Sequence, residues 1–293
     1  MSVIKVNNIT SRDGATGPVI AGIATVSTTS HFVVPTGNTG QKVALAPDPY
    51  INNLVFALPF NSESVFDDVS PNSKATPAIV GFGTTTSSLP YGVTGITTTS
   101  SGIVTFSKYY GNSFYLDGSN DYLAFVNDSS LNFGGESYTI EFWMNPNPIS
   151  TGMIVSLYNE SSNRGSWFIR TDSSGYVRWG ESSDGTSNTG KLLILDTVVG
   201  VVTTGQWYHC AFVKNASQQT RITFINGNST VSTGSTLTVS NLYTNTQDPI
   251  MIGAFNLLSS PSTFFSGYLQ DLRIYKGVAK YTSNFTPPTQ IAL

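Results

Sequence analysis

FYLDGSNDYLAFVNDSSLNFGGESYTIEFWM, residues Phe114 to Met144, is the stretch whose reading decides the fold. Phe114 and Leu116 alternate before the tight corner Asp117-Gly118-Ser119-Asn120, and Tyr122 with Ala124, or Leu123 with Phe125, alternate after it. Further on, Ile140, Phe142 and Met144 alternate with Thr139, Glu141 and Trp143. Period-two alternation bounded by Gly, Asn and Asp predicts antiparallel strands joined by tight turns. Each strand has one apolar face, so a second sheet has to cover it.

The pattern continues outward. Pro146 and Pro148 end the strand at Met144, and Met153–Tyr158 begins another. Trp167–Arg170, an Asp172–Gly175 turn and Tyr176–Trp179 predict a hairpin. Gln206–Val213 and Arg221–Ile225, the latter followed by Asn226-Gly227, predict a second turn-linked set, because both residues of that dipeptide tolerate the left-handed backbone a hairpin turn demands. Ile250–Gly253 and Gly267–Tyr275 supply the last strands, while Leu54–Phe60 and Ile103–Phe106 precede the central stretch. Thr84–Ser101, nearly all Thr, Ser and Gly, reads as an exposed excursion. About a dozen strands without helical periodicity predict an all-β, two-sheet antiparallel sandwich of about residues 50–293. Phe142, Trp207 and Phe212 are expected to hold its sheets together, with Trp143 also in the core.

Composition agrees. Only 11% of residues are charged and 12% are aromatic, and 27 Gly and 14 Pro punctuate the chain. A net charge of -3 with no basic block argues against a phosphate-neutralising nucleic-acid surface. Met1–Thr10 lacks the charged start and apolar core of a signal peptide, and no apolar run of about 18 residues is long enough to span a bilayer, so neither classical secretion nor membrane insertion is expected. The single cysteine, Cys210, rules out an intramolecular disulfide and reads as a small buried hydrophobe.

Residues 1–49 form a separate unit. Val3–Val6, Pro18–Val26 and His31–Val34 are strand-like but interrupted by Gly14, Gly17, Gly37 and Gly40, too little apolar surface to close a core. Such a segment is expected to be a docking arm that orders on a partner by adding strands to it. Pro47, Asp48 and Pro49 mark its end.

LDGSNDYLAF (116–125), YTIEFWM (138–144), GQWYHCAFV (205–213), ITFINGN (222–228) and FSGYLQDLRIYKGVAKYTSNFTPPT (265–289) resemble, in order, the successive blocks of the laminin-G-like, concanavalin-A-type jelly-roll family. That family includes glycan binders, adhesion modules and accessory domains of glycosidases, so the resemblance implies the fold before any one function. GVAKYTSNFTPP is also similar to versions found in bacteriophage structural proteins, and the VNNITSRDGATGPVIAGIATV opening to amino-terminal arms of cyanophage virion proteins.

Candidate chemistry is sparse. Glycosidases need two carboxylates across the sugar. The E-x-D-x-E strand motif of catalytic members sharing this architecture is absent, Glu141 standing between Ile140 and Phe142. His31 and His209 lie in different units, and neither a Gly-x-Ser-x-Gly elbow nor zinc-ligand spacing occurs. A structural calcium at the sandwich edge, as in some relatives, is implied at Asp117, Asp121 and Asp271 by resemblance alone. Their plainer reading is that Asp117 and Asp121 bond backbone amides at the corner and Asp271 pairs with a cation. On the predicted hairpin Phe168 with Arg170, and Tyr176 with Arg178, share faces, and flat rings beside guanidinium groups suit a sugar-binding surface.

The resulting expectation is a non-enzymatic, multicopy or homo-oligomeric virion protein, a capsid decoration, head fibre or tail fibre. It is anchored to other virion proteins through residues 1–49 and displays a lectin-like domain for a cell-surface glycan. The alternative is a free or enzyme-associated carbohydrate-binding module.

Overall fold

The strand predicted around Phe142 forms as β5 (Tyr138–Pro146; strands are numbered in chain order) and lies inside a sheet between β10 (Tyr208–Asn215) and β15 (Ser266–Lys276). Both neighbours are antiparallel, with Cys210 and Ile274 opposite Phe142 and Ile140 respectively. The computed structural model describes residues 48–60, 68–71, 102–104, 107–109, 112–230, 233–234, 241–255 and 261–289. The expected arm strands and the Thr84–Ser101 excursion lie outside these residues.

Beyond β10 this sheet continues through β11 (Thr220–Ile225) to β12 (Asn228–Thr230). Beyond β15 it continues through β3 (Ser113–Asp117) to β2 (Gly102–Val104), and β1 (Leu54–Leu58) takes the other half of the same β15 edge, making eight described strands. A bulge between Gln270 and Arg273 divides the two partners: Leu269 faces Phe114 and Leu272 faces Leu58. The second sheet runs β13 (Thr233–Gly234), β9 (Leu192–Asp196), β8 (Val177–Ser182), β7 (Trp167–Thr171), β6 (Gly152–Leu157), β14 (Ile250–Ile252), β4 (Leu123–Phe125). Every pairing between these strands is antiparallel, giving the expected all-β jelly-roll sandwich.

Alternation sorts the side chains. Ile140, Phe142, Met144, Cys210, Phe212 and Ile274 of one sheet share a core with Leu157, Trp167, Ile169, Val177, Trp179 and Ile252 of the other. Phe142 stacks on Phe212 with centroids 5.9 Å apart, and Trp179 meets Phe212 edge-on at the same distance. Glu181 of β8 crosses between sheets, accepting from the Tyr138 hydroxyl and from Arg221 Nε at 2.6 Å. Trp207 departs from the expectation, and Trp143 is buried as expected but not between the sheets. Phe142 and Met144 take the inward positions, so Trp143 between them faces the outer side of the eight-stranded sheet. Trp207 is only half-buried and packs on that same side against Tyr268.

Part of this outer face is covered by the closing segment, residues 277–289. Ala279, Tyr281 and Phe285 lie over Ala211, Val213 and Phe224, and the rings of Tyr281 and Phe285 stack at 3.5 Å. Its seat is the Asn226-Gly227 turn, whose residues have φ of 51° and 77°. Phe285 N donates to Gly227 O at 2.9 Å, and a Cβ on Gly227 would lie 1.9 Å from Phe285 O, so glycine is required there by both backbone and space.

Candidate functional site

The β7–β8 hairpin forms as predicted, with Arg170 directly opposite Arg178. Asp196 of β9 takes Arg178 in a two-point grip, from Nε at 2.7 Å and Nη2 at 2.8 Å. The Arg178 guanidinium lies 5.5 Å from the Tyr176 ring centroid, and Arg170 Nη1 is 3.9 Å from Asp172. Arg170, Tyr176 and Arg178 therefore form one half-exposed cluster in which acids already engage the cations. Phe168 does not join it as a contact surface. Its ring is buried, edge-on to Tyr158 at 5.0 Å, and Gly180 opposite leaves the space it fills. The sequence shows that Phe168 shares a face with Arg170, but not that Tyr158 and Phe255 cover it.

A pocket that sequence reading missed lies at one end of the sandwich. It has a volume of about 380 Å³, within the range of small-ligand sites, and is formed by the β4–β5 connection and the loop before β14. Asn127, Asp128, Ser129, Asn132 and Glu136 line it from the first loop and Thr244 and Thr246 from the second, while Phe133 borders it with a buried ring stacked on Tyr138 and Trp167. Buried Asn245 fixes the two loops together. Its N–H donates to Asn132 Oδ1 at 2.7 Å, and its carbonyl accepts from Asn127 Nδ2. Asn245 is held in turn by Asp248, which Arg164 grips at 2.7 and 2.9 Å. Burial alone would raise the Asp248 carboxyl pKa; the bonds from Arg164, Asn159 and Asn245 outweigh it and hold it below its ordinary range. On the first loop's far side Lys276 Nζ bonds Ser129 O at 3.1 Å and pairs with Glu136 at 3.2 Å. The pocket is thus a braced ring of hydroxyls, carboxamides and carboxylates suited to a polyhydroxylated ligand. No sequence periodicity marks it, because its residues come from two loops more than a hundred positions apart.

The three acids considered for calcium each bond neighbouring groups of the fold. Asp121 Oδ2 accepts from Asp117 N at 2.9 Å, and Asp117 Oδ1 from Ser119 N at 2.8 Å, building the corner. Asp271 meets Arg273 through two bonds of 2.7 and 2.9 Å. Among the described residues no group of three or more His, Cys, Asp or Glu side chains is placed to hold a metal ion. Glu141 is enclosed by Lys280, Tyr281 and His209. His209 is structural but only half-satisfied: Nε2 is 3.6 Å from Glu141, and Nδ1 is buried without a hydrogen-bond partner.

With the fold and these sites in view, comparison with known proteins defines the class. The family model Laminin_G_3, described as the concanavalin A-like lectin/glucanases superfamily, matches residues 117–280. The chain belongs to this superfamily. Its structure is similar to the binding domain of Paraclostridial Mosquitocidal Protein 1, with a TM-score of 0.55 and 17% identity over 79% of this chain and 51% of that one. It is also similar to the botulinum neurotoxin serotype G binding domain, with a TM-score of 0.51 and 14% identity over 78% and 49%. The chain thus spans about half the length of these two structures. A search of curated proteins finds no match.

Proposed function

We propose that this chain is a non-catalytic glycan-binding module, and that it is displayed on a bacteriophage particle as a capsid decoration, head fibre or tail fibre. The observation that carries the glycan reading is the braced polar pocket of Asn127, Asp128, Ser129, Glu136, Thr244 and Thr246. Hydroxyl, carboxamide and carboxylate groups at fixed spacing are what a sugar's hydroxyls require. Arg170, Tyr176 and Arg178 form an auxiliary contact face on the hairpin. Superfamily membership and likeness to two toxin binding domains support a binding role. The non-catalytic reading is supported by Glu141 and Glu181, whose carboxylates are committed to Lys280 and Arg221.

The virion reading rests on the sequence resemblance of residues 1–49 and of GVAKYTSNFTPP, with the arm as anchor and many copies giving avidity to weak single sites. A specific observation favours a second reading. The closing segment is fully employed as a packing strap over Phe224 and Glu141, so its sequence serves a free or enzyme-associated module equally well.

A glycan array probed with the multivalent protein and with Thr244→Trp, which fills the pocket from an exposed position, tests the binding reading. Signals lost in the variant support the pocket, and blank arrays for both overturn it. A mass-spectrometric inventory of purified heads and tails, with incorporation of a chain lacking residues 2–45, tests the virion reading. Absence from particles overturns it, and normal incorporation of the truncated chain moves the anchor to the sandwich.

A further inference from the structure

The walls of the loop pocket carry acids and no cation. Of its ten lining residues only Asp128 and Glu136 are charged, and both are exposed carboxylates. Asp128 Oδ1 accepts from the Ser130 N–H at 2.7 Å and from the Ser130 hydroxyl, neutral donors that leave the carboxylate its charge. Two lysines reach the same walls from outside the cavity. Lys276 Nζ is shared between Ser129 O at 3.1 Å and Glu136 Oε1 at 3.2 Å, and buried Lys214 Nζ donates to Gly134 O at 3.2 Å. Neither lysine lines the pocket, so an anionic ligand entering it would meet two carboxylates and no ammonium on its walls.

The lining carboxamides serve the brace. Asn132 Nδ2 donates to Asp128 O at 3.1 Å while its Oδ1 accepts from Asn245 N, and Asn127 Nδ2 donates to Asn245 O. Hydroxyls are then the neutral groups that face a ligand: Ser129, Thr244 and Thr246 are exposed, and each hydroxyl can turn to donate or to accept. Such groups match the hydroxyls of a sugar. They supply no opposite charge, so a carboxylate or sulfate placed among them would lose its water without compensation.

We infer that Asp128 and Glu136 make the pocket a charge filter, which admits the neutral terminal sugar of a glycan and excludes one carrying a carboxylate or sulfate. This inference rests on the glycan-binding reading of the same pocket and adds the class of sugar. Like charges brought together at a binding site act mainly by suppressing the wrong partner, and their repulsion strengthens as water leaves the cavity. At about 380 Å³ the cavity is at the small end of ligand sites, which suits the end of a chain and not its whole length.

The test is a glycan array on which each neutral glycan is printed beside its sialylated and its sulfated form, probed with the multivalent full chain, with Thr244→Trp and with Glu136→Gln. Signals lost in Thr244→Trp identify binding at the pocket. Among these, neutral members should exceed their acidic counterparts by about tenfold or more at low salt, and the ratio should shrink as salt screens the exposed Asp128 and Glu136. Glu136→Gln removes one carboxylate and releases Lys276 Nζ from its ion pair, so in that variant acidic glycans should gain signal and the ratio should fall several-fold. A gain of binding does not arise from lost structure. Acidic members that match or exceed their neutral forms at the pocket overturn the filter and leave the pocket standing, as does a ratio unmoved in Glu136→Gln. Signals that all survive Thr244→Trp, or a blank array, overturn the pocket and the filter together.

Discussion

Lys280 Nζ lies 2.7 Å from Oε1 of Glu141, 139 residues earlier in the chain, and the adjacent Tyr281 hydroxyl donates to Oε2 of the same carboxylate at 2.7 Å. Two consecutive strap residues thus close on one acid in the central strand. Asp48 joins from the other side, 3.2 Å from Lys280 Nζ and 3.5 Å from Arg273 Nη1. A buried charge arrangement of this kind is held by its completeness, because removing one member leaves the others unpaired.

Acid should loosen this assembly. Burial favours the protonated form of Glu141, but Lys280, His209 and Arg273 outweigh it and hold the carboxyl well below the ordinary 4.5. The folded state then binds this proton less tightly than the unfolded chain. Stability from Glu141 is complete above the ordinary value and is lost as pH falls below it. Melts between about pH 6 and pH 3 should show a falling Tm whose slope is shallower in Glu141→Gln. At pH 7 that variant should be less stable by about 3–5 kcal/mol. Parallel profiles for the two proteins would count against the assignment.

Two aromatic truncations separate the core from the outer face. Phe142→Ala removes a ring stacked on Phe212 between the sheets and should cost about 3–5 kcal/mol in chemical denaturation. Trp207→Ala removes a half-buried outer-face ring and should cost about 1 kcal/mol. Similar losses in both would put Trp207 back between the sheets, where the sequence reading placed it.

That error shows what was legible and what was not. Alternation around Phe142 and Phe212 locates strands and their apolar faces, and Asn226-Gly227 locates a turn, because both signals are local. The same alternation sets Trp143 beside Glu141 on the face opposite Phe142, so its outward position was readable, but size and apolarity argued for the core. Whether an outward ring is covered depends on the strap and on residues far away in sequence. The candidate site suffered most. Arg170, Tyr176 and Arg178 do cluster, but the Asp196 grip on Arg178 comes from another strand, and Asn245 joins loops whose proximity no period encodes.

The strap's seat offers a local test. Gly227→Ala places a side chain at φ 77° and against Phe285 O, so the turn must shift and the Phe285 N–H bond to Gly227 O must lengthen. A loss of about 1–2 kcal/mol is expected, since alanine is strained at positive φ. Hydrogen exchange should show weakened protection at Phe285, with the β7–β8 hairpin unaffected. Unchanged protection there would mean that the strap is held by Glu141 alone.

Lys214 shares the sign of Glu141's pH response but acts in an alkaline window, and through a penalty that is relieved and not a stabilisation that is lost. Its side chain is buried in β10, where Nζ donates to Gly134 O at 3.2 Å. Burial depresses its pKa most strongly; Glu181 raises it and Arg221 lowers it, and the group ends at about 8 instead of 10.5. Below about pH 8 the fold therefore carries an ammonium it disfavours, while the unfolded chain keeps that proton easily up to 10.5. Between the two values the unfolded state binds more protons, so this group makes stability rise with pH across that window. Lys214→Met keeps the apolar stem and removes the charge, and Leu242 N still donates to Gly134 O at 3.0 Å. At pH 7 the variant should melt higher by roughly 2–4 °C, the shift that about 1 kcal/mol produces in a domain of this size. Its advantage should shrink steadily towards alkaline pH, and following the difference between the proteins cancels the common titration of the tyrosines. A Tm difference that stays constant from pH 7 to about 10 would show that the Lys214 ammonium carries no penalty in the fold.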